Sequence, residues 1–239
     1  MNILSVECSA GAASAAVSCD GKILGEVFTN TALTHSRTLM HCVDAALKCA
    51  EIPFDAIDAF AVSSGPGSFT GIRIGCATIK GLAAAQEKPC VPVSTLEGIA
   101  FALHGMECVA CAVMDARCGQ VYTASFDCDG GFTRLCPDQA IPIEELGAFL
   151  KKIEKSIFFI GDGAVLCYNK LKDTLANAHL APENIRYQRA GNICLLAHSR
   201  YEGGGAVPPD QLTPTYLRLA QAQRELKRRL AQQKGEGQS

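Results

Sequence analysis

The sequence of 239 residues contains no apolar run long enough to cross a membrane. A spanning helix needs about 20 consecutive apolar residues, and every apolar stretch here is interrupted before that length. Excess charge of one sign is absent as well: 22 Lys and Arg oppose 24 Asp and Glu, for a formal net charge of -2. The sequence therefore excludes a membrane-spanning chain, and it argues against a protein covered by a nucleic-acid-binding surface.

Motifs for nucleophilic or metal chemistry are also missing. The sequence has no G-x-S-x-G and no H-E-x-x-H, the patterns of serine hydrolases and zinc proteases. Cys108 and Cys111 resemble half a zinc site, but they lie in a predicted strand, where residues three apart point to opposite faces. His35 and His41 are six apart, a spacing that does not place both on one face of a helix.

Cysteine is abundant, with 13 residues. The number is odd, and the cysteines are scattered, mostly inside apolar runs, where a reduced thiol acts as a small hydrophobic side chain. We expect free cysteines in the core of a cytoplasmic protein with no signal peptide. Hydrophobic residues make up 48% of the chain, which is enough for a substantial core.

The two halves of the chain predict the same order of elements. The first half predicts strands at 3–8, 13–19 and 23–29, a helix at 35–50, a strand at 59–64, a helix at 68–86, a strand at 90–93 and a helix at 95–104. The second half predicts strands at 108–114, 120–127 and 132–136, a helix at 143–153, a strand at 157–160, a helix at 165–176, a strand near 185–187 and a helix at 192–201. Hairpin turns at Asp20-Gly21 and Asp129-Gly130 fall at matching places.

This duplicated order predicts an α/β protein with two ribonuclease-H-like lobes, each a mixed sheet with flanking helices, as in the sugar-kinase, Hsp70 and actin class. We expect an N-terminal lobe at 1–104, a C-terminal lobe at 105–207, and a C-terminal segment at 208–239 that packs back on the N-terminal lobe. Within that segment, residues 217–233 predict a basic helix. Two roles are consistent with the sequence of this helix: contact with tRNA, or packing of its apolar side on the fold.

Proteins of this class usually hold a nucleotide in the cleft between the lobes. An acidic residue ends the first strand of each half, Glu7 in one and Asp115 in the other, but each following turn contains a single glycine. Phosphate-binding turns need several exposed backbone amides, so we interpret these turns as relics. The alternative is an active nucleotide-dependent phosphotransferase or carbamoyltransferase that uses Glu7 and Asp115 around a magnesium ion. A dinucleotide loop at 65–71 is disfavoured because Pro66 removes a backbone donor.

The run SGPGSFTGIRIG at residues 64–75 is the most informative stretch. It predicts a strand end, a sharp turn and a helix that carries Gly71 and Gly75 one turn apart. Glycine costs a helix about 1 kcal/mol relative to alanine, so the pair indicates close approach of another backbone. Because helix 68–86 is small or apolar nearly all round, we expect it to dock on a second subunit together with helix 35–50. The alternative is that the two helices cover each other within the fold.

Several segments together resemble a known family. They are the run at 64–75 and the segments at 34–36, 93–96, 115–122 and 214–218. In this order and spacing they resemble bacterial TsaB proteins, also called YeaZ. The resemblance covers about residues 1–126 well and returns at 214–218.

The resemblance implies a non-catalytic subunit used in making threonylcarbamoyladenosine, the modified base next to the anticodon of tRNAs that read codons starting with A. Such a subunit pairs with TsaD, the paralogue that transfers the threonylcarbamoyl group, and the ATPase TsaE joins the pair. Alone it forms a homodimer through the same surface, and it meets tRNA only through the complex. No cofactor and no metal are implied: the TsaD metal motif is a histidine pair four apart, and here Leu39 follows His35 at that spacing.

The interface expected from the two helices and from the resemblance comprises His35, Ser36, Met40, Phe69, Gly71, Arg73, Gly75, Thr78 and Leu82. On this interpretation, Gly75→Leu abolishes the heterodimer and leaves the monomer folded.

Overall fold

Each half of the chain builds one mixed β-sheet. In the computed structural model, which describes residues 1–31 and 33–218, the first sheet contains β1 (Asn2–Glu7), β2 (Ala13–Cys19), β3 (Lys22–Thr29), β4 (Ala59–Gly65) and β5 (Cys90–Ser94). Their order is β3-β2-β1-β4-β5. β1 pairs antiparallel with β2 and parallel with β4, so the carboxyl ends of β1 and β4 lie at the same edge.

The second sheet repeats this arrangement. It contains β6 (Val109–Asp115), β7 (Gln120–Asp127), β8 (Thr133–Arg134), β9 (Gln139–Pro142), β10 (Ile157–Ile160) and β11 (Ala178–Leu180). The order is β11-β10-β6-β7-β8, with β9 also paired to β7. β6 takes the place of β1 and β10 the place of β4, because β6 is antiparallel to β7 and parallel to β10.

Seven α-helices flank the sheets within the described residues. They are α1 (His35–Ala50), α2 (Phe69–Ala85), α3 (Thr95–Ala100), α4 (Ile143–Leu150), α5 (Ala164–Leu171), α6 (Glu183–Arg186) and α7 (Ala190–Glu202). None of the described helices is both long and apolar enough to span a bilayer. The predicted α/β class with two lobes of the same strand order is confirmed.

The last helix of each half packs on the sheet of the other half. α7 covers the face of the first sheet that carries Ile3 and Ala61, while α1 and α2 cover its opposite face. α3 packs on the second sheet beside Ala110 and Ala112, and α4 and α5 cover the other face of that sheet. The strands of the first sheet end at Ser94 and those of the second begin at Val109, but α3 and α7 each pack on the sheet of the other half.

Two predicted strands differ from the structure. The strand predicted near 185–187 is wrong, because Glu183–Arg186 form the short helix α6, and the edge strand β11 forms earlier, at Ala178–Leu180. The third strand of the second meander is reduced to the two residues of β8, and β9 supplies the longer pairing with β7. The predicted helix at 217–233 lies, from residue 219 onward, outside the described residues.

All thirteen cysteines fall in the described ranges and are free thiols, nine of them buried. Cys108 and Cys111 belong to separate cores on opposite faces of the second sheet, as their spacing in a strand predicts. Burial raises the pKa of Cys76, Cys90 and Cys194 to about 11 each, so these thiols stay protonated and pack as small apolar groups.

The glycines of α2 lie against the chain itself. A Cβ added at Gly71 would lie 2.1 Å from the backbone oxygen of Cys8, and one at Gly75 would lie 3.0 Å from Cys8 Sγ. Both glycines are buried. The close approach that the glycine pair predicts is present within the chain: Gly71 meets the Cys8 backbone, and Gly75 meets the side chains of Cys8 and Val62.

The expectation that Gly75→Leu leaves the monomer folded is therefore wrong. A leucine side chain at this position would overlap Cys8 and Val62, whose Cγ2 atom lies 3.3 Å from the Cβ position. The variant would disturb the core of the first lobe, so it cannot report on an interface.

We expect Gly71→Ala to reduce the free energy of unfolding by roughly 3 kcal/mol, because a rigid backbone oxygen occupies the space that the methyl group needs. Gly81→Ala is the matched control in the same helix, since no atom lies within 4 Å of its Cβ position. There, alanine should stabilise by about 0.5–1 kcal/mol through its higher helix propensity. Urea unfolding of both variants measures the difference, and equal effects would contradict this account of Gly71.

Candidate functional site

A cavity of about 420 Å³ lies in the cleft between the two lobes. Four turns form its walls, at residues 9–11, 66–69, 114–117 and 162, and they follow β1, β4, β6 and β10. In each sheet the two parallel central strands bring their carboxyl ends to one edge, the place where ligands bind in sheets of this kind. The cleft is therefore the candidate functional site.

Glu7 lies beneath the wall of the cavity. Its side chain belongs to a residue that is 1% exposed, and its Oε1 atom accepts a hydrogen bond from the Ser9 backbone N–H at 2.6 Å. Burial raises the pKa of the Glu7 carboxyl, and the hydrogen bonds it accepts oppose this shift. The Glu7 carboxyl is therefore buried and already bound by the chain's own donors.

Asp115, at the end of β6, makes the equivalent interaction in the second lobe. Its Oδ1 atom accepts the backbone N–H of Arg117 at 2.7 Å, and its Oδ2 atom pairs with the Arg117 guanidinium at 3.2 Å. The Asp115 side chain is 31% exposed. In both lobes, the acid that ends the first strand binds the amide two residues further on.

This repeated interaction uses up backbone donors that a phosphate group would need. A phosphate-binding turn works because several backbone N–H groups point at the ligand. Here the amides of Ser9 and Arg117 point at the chain's own carboxylates. The amide of Ser68, at the start of α2, donates to the Ser9 carbonyl at 2.7 Å. Glu7 and Asp115 therefore close the two turns on themselves.

Asp162 is the acid that sequence reasoning missed. It follows β10 in the turn Gly161-Asp162-Gly163, lines the cavity and is open to it. Enclosure between the lobes raises the pKa of Asp162 to about 6; a hydrogen bond from Gln188 opposes the shift, and the charge of Asp115 adds to it. The glycine turn was visible in the sequence, but nothing local indicated that its central acid faces the cleft.

A C-terminal strap, defined here as residues 208–218, completes the cavity. Residues 215–218 line it. The Thr215 amide donates to the Ser64 carbonyl at 2.7 Å, and Arg218 Nη1 donates to the Ala116 carbonyl in the second lobe. Gly65 has φ +121°, and a Cβ there would lie 2.3 Å from the Thr215 oxygen. This glycine leaves room for the strap.

The predicted interface residues fall into different environments. Gly71 and Gly75 are buried against Cys8, and the half-buried His35 meets the Ala10 carbonyl through Nε2 at 2.6 Å. Phe69 and Arg73 contact the strap. The other four predicted residues divide between the two helices: Ser36 and Met40 of α1 are exposed, while Thr78 and Leu82 of α2 are half-buried, and Leu82 packs against the core of the first lobe.

The fold and the cleft define a class: two-lobed α/β proteins in which each lobe is a ribonuclease-H-like mixed sheet. Within this class, the family model described as TsaD, tRNA N6-adenosine threonylcarbamoyltransferase, matches residues 22–225. The chain therefore belongs to this family.

Within this family, individual relatives show that the chain is similar to TsaB proteins. The chain is 27% identical to the tRNA threonylcarbamoyladenosine biosynthesis protein TsaB of Bacillus subtilis over 225 residues, which cover 93% of this chain and 96% of the relative. YeaZ from Pseudomonas aeruginosa matches with a TM-score of 0.74 and 25% identity over 90% of this chain and 99% of that chain. A P. aeruginosa protein described as similar to peptidase YeaZ matches with a TM-score of 0.78 and 26% identity, over 91% of this chain and 99% of that chain. The resemblance to TsaB is confirmed.

We expect Asp162→Asn to stabilise the protein above pH 6 and to have little effect near pH 4. An aspartate ionises near pH 3.9 in an unfolded chain and at about 6 here. Between these values the native state binds more protons than the unfolded state, so stability falls as pH rises. Asparagine does not ionise, so the variant does not lose stability in this way as pH rises. Urea unfolding from pH 4 to pH 8 measures the difference between variant and wild type.

The control is Asp173→Asn, which changes an exposed carboxyl of the second lobe. A difference for Asp162→Asn that stays constant across this pH range would show that Asp162 ionises in the folded protein as it does in the unfolded chain.

Proposed function

We propose that this chain is a non-catalytic subunit of the machinery that makes threonylcarbamoyladenosine in tRNA, and that it docks on a TsaD-type paralogue through α1 and α2. Relatives named as threonylcarbamoyladenosine biosynthesis proteins support the pathway. The observation that carries the docking role is the small and apolar outer face of α2.

The outer face of α2 suits close contact with another helix. Ala77, Gly81 and Ala84 are exposed, and the neighbouring Ile74 packs partly against the core of the first lobe and is otherwise accessible. Side chains this small let a partner backbone approach closely, and the accessible part of Ile74 adds apolar surface for burial. A helix that only covered its own sheet would carry polar residues on this side.

α1 lies beside α2 on the same face of the first sheet and extends the surface. Its Met40 is 49% exposed, and methionine adapts well to irregular binding surfaces. Met40 and Ala77 are therefore suitable positions for testing contact on the two helices, since neither belongs to the core cluster beneath.

The turns after Glu7 and Asp115 support the proposal that this subunit is non-catalytic, because each acid binds the backbone of its own turn. Glu7 accepts the Ser9 amide, and Asp115 accepts the Arg117 amide and pairs with its guanidinium, so both acids of the alternative phosphotransferase or carbamoyltransferase mechanism are already engaged by the chain itself. Among the described residues, no cluster of three His, Cys, Asp or Glu side chains is arranged to hold a metal.

The remaining partners follow from the resemblance. We propose that a TsaE-type ATPase joins the heterodimer, that the chain forms a homodimer through α1 and α2 when alone, and that it meets tRNA only through the complex in the cytoplasm. Because a homodimer would use the surface that the paralogue needs, the two assemblies compete.

We expect this chain, mixed with the TsaD of the same organism, to form a one-to-one complex that displaces the homodimer in size-exclusion chromatography with light scattering. Met40→Glu and Ala77→Glu should each weaken the complex by about 100-fold or more, because an unpaired charge buried in an interface costs roughly 3 kcal/mol.

Leu166→Glu on α5 is the control, since this leucine is 39% exposed on the second lobe and away from the proposed surface. Circular dichroism checks that each variant is folded. Wild-type stoichiometry for both helix variants would place the interface elsewhere. No complex, combined with ATP binding by the chain alone that Asp115→Asn removes, would favour the enzyme alternative.

A further inference from the structure

The strap runs antiparallel to α2 and is held by the charged residues of that helix. Lys80, in the last part of α2, donates to the Asp210 carbonyl at 3.3 Å. Arg73, nearly two turns earlier, donates through Nε to the Tyr216 hydroxyl at 3.0 Å. Arg73 and Lys80 are the only charged residues of α2, so each of its cations contacts the strap.

The two ends of the strap are held differently. Leu212, 1% exposed, is part of the core of the first lobe, so the beginning of the strap is anchored by apolar burial. Residues 213–218 depend on polar and stacking contacts: the Thr215 amide on Ser64, the Tyr216 ring on Phe69, and Arg218 on Ala116. This second part bridges the lobes over the cavity.

Arg73 stands at the junction of the strap and the proposed docking surface. Its guanidinium lies 4.0 Å from the centre of the Phe69 ring, and that ring stacks on Tyr216 with 4.4 Å between centroids. The Arg73 residue is exposed. Among the described residues, the hydrogen-bond acceptor of Arg73 is a neutral phenol, and a carboxylate would bind a guanidinium about twice as strongly.

We propose that docking on α2 and closure of the strap are coupled through Arg73. An acidic side chain of the TsaD-type partner, lying against α2, binds the Arg73 guanidinium side-on through Nε and one Nη and so displaces the Tyr216 hydroxyl from Nε. Residues 213–218 then loosen over the cleft, while Leu212 stays anchored. This proposal rests on the proposed function, because it names a consequence of docking at the same surface.

The first test uses the isolated full chain and measures hydrogen–deuterium exchange of the peptide 213–218, which contains the Thr215 amide. Arg73→Ala removes both the hydrogen bond and the stacked guanidinium and should speed exchange of this peptide by about tenfold. Tyr216→Phe keeps the stacked ring and loses the hydroxyl, so it should speed exchange by about threefold.

Arg37→Ala is the matched control, since Arg37 is an exposed arginine on the neighbouring helix α1 and should leave the peptide unchanged. The peptide 209–212 serves as an internal reference because Leu212 anchors it. Wild-type exchange of 213–218 in both Arg73→Ala and Tyr216→Phe would overturn the proposal.

The second test repeats the measurement on the one-to-one mixture with the partner. We expect slower exchange in α1 and α2 together with faster exchange in 213–218. Slower exchange in the helices with unchanged or slower exchange in 213–218 would overturn the coupling and leave the docking proposal standing. Unchanged exchange in both helices would instead contradict docking on α1 and α2 itself.

Discussion

The contact between the α2 backbone and Cys8 fixes the geometry on which the cleft depends. The Cys8 oxygen occupies the space that a side chain at Gly71 would need, and the Cys8 thiol donates to the Gly71 carbonyl at 3.2 Å. This contact places the start of α2 against the turn that follows β1, where the Ser68 amide reaches the Ser9 carbonyl. One wall of the cavity is thereby determined by a close approach that only glycine allows.

The two lobes share a second constraint, which explains why the cleft differs from a phosphate site. In each lobe the acid at the end of the first strand accepts the amide two residues later, Glu7 from Ser9 and Asp115 from Arg117. Such local bonds stabilise a turn at the expense of donors that could face a ligand. The cleft also holds Asp162, whose pKa is raised by its enclosure, and it is crossed by a strap that runs from one lobe to the other.

Much of the fold could be predicted from periodicity and turn residues, because these are local signals. The alternation of helices and strands and the hairpin at Asp20-Gly21 agree with the structure. The glycines of α2 correctly indicated a nearby backbone, but not which one, since spacing says nothing about the identity of a distant partner. The path of residues 208–218 and the position of Asp162 in the cleft depend on long-range packing, which no local pattern encodes. Amphipathicity likewise shows that α3 and α7 have apolar faces, but not which sheet each one covers.

The exchange of α3 and α7 between the sheets has a consequence for how the chain reaches its native state. During synthesis, the strands of the first sheet emerge well before α7, which supplies the cover for Ile3 and Ala61. Until that helix arrives, this face of the sheet lacks most of its cover, with Phe101 of the first half packed at one part of it, and exposed apolar faces of this kind promote aggregation. The Ser5 hydroxyl donates to the Ala190 carbonyl of α7 at 2.6 Å, so its acceptor is also absent until this helix is made. The two halves therefore complete their folding together, late in translation, although their sheets are built from separate stretches of sequence.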